Sequence, residues 1–193
     1  MYLAMHTWMR AEPIEAAISR IVPLGYKALE ISGEPERHNV DEVRALLSKH
    51  GIRCFGSVTL MLGERNLLAA SEGARTRSIA YVNDCITMVK ELGGEEISIV
   101  PGTVGKVTPD STPEKEWQWA VDSLKEIYEH GMASGVRLGI EPINRFETYF
   151  INRGDQAIAL AEAVGPECGV CLDIFHMNIE ETDVLAAIRR AGD

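Results

Sequence analysis

Six times in succession this chain passes from a short apolar run to a longer stretch whose apolar residues recur at helical spacing. The runs fall at residues 2–6, 26–32, 52–59, 95–100, 136–141 and 169–175, and the helical stretches at 13–24, 40–50, 72–92, 113–135, 155–164 and 182–190. Strict alternation leaves few folds open. Each helix must return the chain so that the next strand lies parallel to the last, through right-handed crossovers. The punctuation agrees. Asn39 and Ser71 stand where helix caps are wanted, Pro13 and Pro113 open helices, and Gly51, Gly93 and Gly135 stop them.

A parallel sheet of this kind is either a doubly wound open sheet or a barrel. A dinucleotide-binding open sheet carries a glycine-rich turn after its first strand. Here that turn is His6-Thr-Trp-Met-Arg-Ala, with no glycine. The reading is therefore α/β, of the (β/α)8 TIM-barrel type. At 193 residues the six units take roughly 32 residues each, whereas eight units need about 250. Residues 1–193 are read as one barrel domain, C-terminally incomplete, with six strand–helix units present.

Two runs end in acids. Val136-Arg-Leu-Gly-Ile-Glu-Pro-Ile-Asn-Arg-Phe-Glu147 delivers Glu141 to the end of the fifth strand, before Pro142 breaks it. Strand alternation places Gly139 and Glu141 on one face and Leu138 and Ile140 on the other. With the aliphatic pair toward the helices, Glu141 faces the barrel mouth. A carboxylate there is costly unless it is paired or bound to a cation; the plain alternative is a salt bridge to Arg145. Cys168-Gly-Val-Cys-Leu-Asp-Ile-Phe-His-Met-Asn178 repeats the design. It turns Cys171 and Asp173 inward and Val170, Leu172 and Ile174 outward, with His176 just past the strand end. Asp173 alone could be a helix cap and His176 a structural histidine. One strand from Glu141, they become candidates for a metal or substrate site.

His6 and Trp8 reach the same rim from the first strand, although packing is the commoner fate of such a tryptophan. Glu147 by itself reads as a solvated loop acid. The Cys168-x-x-Cys171 spacing resembles a redox motif but lies within a strand, which turns the two thiols to opposite faces and favours structural cysteines. Gly102-Thr-Val-Gly-Lys106 lacks the spacing and the hydroxyl residue of a phosphate loop.

Ile140-Glu-Pro-Ile-Asn-Arg-Phe-Glu147 and Leu172-Asp-Ile-Phe-His-Met-Asn178 resemble the fifth- and sixth-strand motifs of the ketose 3-epimerases of the D-tagatose and D-psicose type. These belong to the xylose-isomerase-like sugar isomerase/epimerase superfamily, and the resemblance runs the length of the chain. It implies a divalent cation, Mn²⁺ first with Co²⁺ or Mg²⁺ as substitutes, held in part by Glu141 and Asp173. Glu141 would also be one of two catalytic acid/bases that move the C3 proton of a ketose through an enediolate. Glu147 and His176 would hydrogen-bond the sugar, and His6 and Trp8 would line its pocket. The family's remaining ligands, a His on the seventh strand and a Glu on the eighth, have no counterpart in the chain, nor does a substrate-binding Arg after the seventh.

Other functions stay open at this stage. An inosose dehydratase or hydroxypyruvate isomerase would look much the same over these residues. A non-catalytic barrel fragment that acts as a binding or assembly module, pairing its open edges in a homo-oligomer, is the reading from another class. The net charge of -10 opposes phosphate backbones and excludes nucleic acid as the expected partner. No apolar run reaches the ~20 residues of a membrane span, and no basic region precedes the apolar N-terminus as in a secretory signal. Four cysteines are too few for a disulfide scaffold. The expected setting is cytoplasmic, with a small-molecule sugar as partner.

Overall fold

A computed structural model of the chain describes residues 3–10 and 12–192. Tyr2, expected to open the first strand, lies outside the described residues. Six parallel strands pair in sequence order: β1 (Ala4–His6), β2 (Ala28–Ser32), β3 (Arg53–Val58), β4 (Glu96–Ile99), β5 (Arg137–Ile140) and β6 (Gly169–Val170). Between them run α1 (Ile14–Ile21), α2 (Val40–His50), α3 (Glu72–Glu91), α4 (Pro113–Ser134) and α5 (Gly154–Val164). Two further helices, α6 (Ile174–Glu180) and α7 (Val184–Ala191), follow β6. In-order pairing of parallel strands is barrel topology, and the expected alternation is present.

The helix boundaries follow local chemistry. The Asn39 side chain accepts from the main-chain N–H groups of Asp41 and Glu42, and Gly51, at φ 65°, closes α2 in a left-handed conformation that other residues adopt at a cost. Ser71 caps α3, and Thr112 caps α4 directly before Pro113. Glu116, one turn inside α4 and 1 % exposed, accepts from the N–H groups of Asp110 and Ser111 and so ties down the β4–α4 loop.

Strand alternation divides the sheet into two faces. Outward side chains such as Leu29, Ile31, Ile97, Ile99, Leu138 and Ile140 are buried against the helices in two apolar clusters. Each such side chain contributes about 1.5–3 kcal/mol on burial. The inner face is different. The register places His6 beside Glu30, Glu30 beside Gly56, and Gly56 beside Glu96. The next inward layer holds Ser32, Val58, Ser98 and Gly139. Gly56 has no room for a side chain, since an added Cβ would stand 2.1 Å from the Glu96 carbonyl oxygen. The pairing slips by one residue beside it, between Leu29 and Glu30. The barrel thus has a polar, acidic interior and an apolar outer layer.

The sixth unit departs from the expectation. The strand expected over 169–175 ends at Val170, and Ile174 and Phe175 begin α6. Asp173 is the N-cap of that helix, its side chain accepting from the Phe175 N–H. Ile174 and Phe175 are exposed while His176 and Met177 are buried, which is helical and not strand periodicity. The last helix begins at Val184, not at residue 182, with Asp183 as its cap.

Candidate active site

The mouth of the barrel is assembled from the ends of β5 and β6. Glu141 follows β5 directly, and its main-chain N–H donates to the Ile99 carbonyl at 2.9 Å, which continues the ladder by one residue. Its side chain is 9 % exposed. The Ser98 hydroxyl, one strand away on the same face, donates to Glu141 Oε2 at 2.8 Å. The expected alternative, a salt bridge from Glu141 to Arg145, does not form. Arg145 instead grips Glu180 of α6, with Nε–Oε1 at 2.9 Å and Nη2–Oε2 at 2.7 Å, and its main-chain N–H adds a third bond to Oε1. This clamp fastens the β5–α5 loop to α6.

Fastened in this way, the loop meets His176. Glu141, Asp173 and His176 each present one ligand-capable atom, all within 4.8 Å of one another. Asp173 caps α6 with Oδ1 and keeps Oδ2 3.9 Å from His176 Nε2. Asn144, 1 % exposed, stands behind the group. Its Nδ2 donates to Glu147 Oε1 at 2.7 Å, and Nδ2 and the main-chain N–H approach His176 Nδ1 at 2.8 and 3.2 Å. His6, at the end of β1, stands 5.4 Å from the ring of Trp8, which is half-exposed. Burial lowers the His6 pKa, and the Asp173 carboxylate acts in the other direction.

Electrostatically the mouth is short of positive charge. Burial pushes the Glu141 carboxyl up to about 7, the Ser98 hydrogen bond opposes that, and repulsion from Asp173 and Glu147 adds to it. Glu30, lower on the inner face, is also pushed up to about 7, first by burial and then by Glu141 and Glu96. Glu96 is raised by burial as well. Crowded carboxylates that resist ionisation are relieved by a proton or by a cation. Two carboxylate oxygens, one directly after β5 and one at the N-cap of α6, suit a hard or borderline divalent ion. The donor set of Glu141, Asp173 and His176 is one that a divalent cation would fit.

The family model described as a xylose isomerase-like TIM barrel matches residues 18–193. The chain belongs to that family. Among curated relatives of this xylose isomerase-like barrel, an L-ribulose 3-epimerase of Mesorhizobium japonicum is 30% identical over 181 residues, covering 93% of this chain and 61% of the relative. A D-psicose 3-epimerase of Ruminiclostridium cellulolyticum is 30% identical over 190 residues, covering 91% of this chain and 62% of the relative. The chain thus spans about three-fifths of the length of these relatives. The crystal structure of the D-psicose 3-epimerase with D-tagatose from Clostridium cellulolyticum H10 superposes with a TM-score of 0.90 at 26% identity, covering 100% of this chain and 70% of that one.

Several residues of this barrel's mouth escaped the sequence reading. Ser98 and Glu30 sit in alternating strand segments, Glu-Ile-Ser-Ile and Leu-Glu-Ile-Ser, whose polar members mark the inner face; that signal was present. Asn144 and Glu180 look like ordinary loop and helix-surface residues, and only the folded contacts give them a place. The two cysteines of the sixth unit are free thiols, both pushed up to about 12 by burial, and Cys171 lies on the inner face beside Gly139.

Proposed function

We propose that this chain forms the larger part of a divalent-cation-dependent ketose 3-epimerase, with Glu141 as one of its two acid/bases. The observation that carries the reading is the pairing of Glu141, directly after β5, with Asp173, the N-cap of α6, beside an inner face that already holds Glu30 and Glu96. The names of the relatives, ribulose and psicose 3-epimerases, supply the substrate class: a ketose with a free C3 hydrogen.

In this reading Glu141 accepts the C3 proton. The C3–H bond breaks, and its electron pair moves into C3–C2 while the carbonyl π pair moves to the oxygen, giving an enediolate. Return of a proton to the opposite face of C3 inverts that centre; the acid that returns it is supplied from outside these six units. Ser98 holds the Glu141 carboxylate in place, and the surrounding burial weakens its competition from water. A cation held by Glu141 and Asp173, Mn²⁺ by preference, would supply positive charge beside the sugar oxygens. Glu147 and His176 bond the sugar near its carbonyl, and His6 and Trp8 flank it. Residues 1–193 are then part of one barrel domain whose seventh and eighth units come from further chain or from a second subunit, in the cytoplasm.

A second reading, an assembly module, is favoured by one observation. A groove of about 700 Å³ runs beside β6, the last strand of the sheet, lined by Leu138, Val170, Leu172 and Ile188 together with the charged Glu96, Arg137 and Glu167. The test that separates the two uses the protein expressed from its own gene, incubated with Mn²⁺ and a panel of ketoses in deuterated water. Deuterium at C3 with inversion supports the epimerase; no exchange with any ketose, alongside stable oligomers in solution, leaves the assembly module.

A further inference from the structure

We propose that Asn144 is a positioning residue that holds His176 as its Nε2–H tautomer, so that the imidazole meets the barrel mouth as a hydrogen-bond donor and not as a ligand to a cation. The consequence for a sugar rests on the epimerase reading; the tautomer does not.

A neutral imidazole has one donor and one acceptor nitrogen, and the partner of one fixes the state of the other. The main-chain N–H of Asn144 points at His176 Nδ1 at 3.2 Å, and a main-chain N–H can only donate. The side-chain amide adds a second donor, because its orientation is fixed independently. Its Oδ1 accepts from the Phe146 N–H at 3.0 Å, which leaves Nδ2 at the other end. The two Nδ2 hydrogens then go to Glu147 Oε1 at 2.7 Å and to His176 Nδ1 at 2.8 Å. Reversing the amide would set oxygen against a carboxylate oxygen and N–H against N–H. With Asn144 1 % exposed and His176 8 % exposed, water does not offer a substitute for these bonds.

Nδ1 therefore faces two donors and carries no proton, and the ring's hydrogen sits on Nε2. That nitrogen is the one turned toward Asp173, 3.9 Å from Oδ2. Of the three residues whose ligand-capable atoms cluster here, His176 has no lone pair to give: Nδ1 is engaged and Nε2 bears hydrogen. The chain's own grip on a cation reduces to the two carboxylates, and an N–H is left pointing where a sugar oxygen or carbonyl can receive it. The same amide orients Glu147, so one buried asparagine sets both groups.

The test is the nitrogen spectrum of the 193-residue chain, labelled with ¹⁵N-histidine and recorded as long-range ¹H–¹⁵N correlations without metal or sugar. His176 is picked out from the five histidines by its absence in His176→Gln. The expected result is an unprotonated Nδ1 and a protonated Nε2. In Asn144→Ala the main-chain N–H still donates to Nδ1 while the Nδ2 donor is lost, so the Nε2–H tautomer should hold and the Nδ1 shift should move toward that of a more weakly bonded nitrogen. A protonated Nδ1 in the wild type, or an Nδ1 shift that does not move in Asn144→Ala, overturns the proposal. In the expressed protein, loss of the positioning contact should lower the rate of C3 exchange roughly 10- to 100-fold. A wild-type protein with the expected tautomer and no exchange would overturn the epimerase reading alone.

Discussion

Replacing Glu141 with glutamine should make the cation-free protein more stable at alkaline pH and leave it almost unchanged in acid. The cause is the mismatch between the carboxyl's ordinary value of 4.5 and its folded value of about 7. The folded state holds this proton more tightly than the unfolded state, so stability is greatest below 4.5 and falls as pH rises toward 7. At about 1.4 kcal/mol for each unit of difference, the full effect above pH 7 is on the order of 3 kcal/mol. Glu30 titrates in the same range and shares the repulsion, which leaves about 2–3 kcal/mol for Glu141 alone. Glutamine keeps the volume and keeps an oxygen for the Ser98 hydroxyl, so little packing is lost. The assay is urea unfolding in a chelator at pH 4.5 and pH 8, with wild type and variant side by side. At pH 8 the E141Q midpoint should lie about 1 M higher, given a urea slope near 2–3 kcal/mol per molar; at pH 4.5 the midpoints should coincide. A variant no more stable than wild type at pH 8 would refute the claim that the mouth resists this negative charge.

Substitutions at three further positions probe the frame around the site. Asp173→Asn keeps a helix cap for the Phe175 N–H while removing the charge, so stability should hold; Asp173→Ala should cost about 1 kcal/mol in urea unfolding. Tyr81→Phe should destabilise by about 1–3 kcal/mol, because its hydroxyl accepts from the Leu60 N–H and donates to the Gly33 carbonyl, both at 2.7 Å. Gly56→Ala should cost about 3 kcal/mol or yield insoluble protein, since the new methyl meets the Glu96 carbonyl at 2.1 Å; normal thermal unfolding of this variant would contradict the register given for β3 and β4.

Much of this was legible before any coordinates, and for a physical reason. Period-2 alternation in Glu-Ile-Ser-Ile and Arg-Leu-Gly-Ile separates helix-facing from barrel-facing residues, and caps such as Asn39 and stops such as Gly51 fix helix ends locally. The sixth unit was misread because Gly-Val-Cys-Leu-Asp-Ile-Phe is apolar throughout, and periodicity cannot tell a strand from a strand that turns into a helix at its one acid. Asp173 served as that turning point. Asn144 and the Arg145–Glu180 clamp lay beyond sequence reasoning altogether. Their partners are some thirty residues away, and nothing in either local pattern marks the contact.

The most direct measurement of the central claim is Mn²⁺ uptake followed by electron paramagnetic resonance, with wild type, E141Q, D173N and His176→Gln compared. One ion per wild-type chain, lost in E141Q and in D173N but kept in His176→Gln, is the predicted result. Uptake that survives the loss of both carboxylates, or that depends on His176 instead, would contradict a cation site built on Glu141 and Asp173.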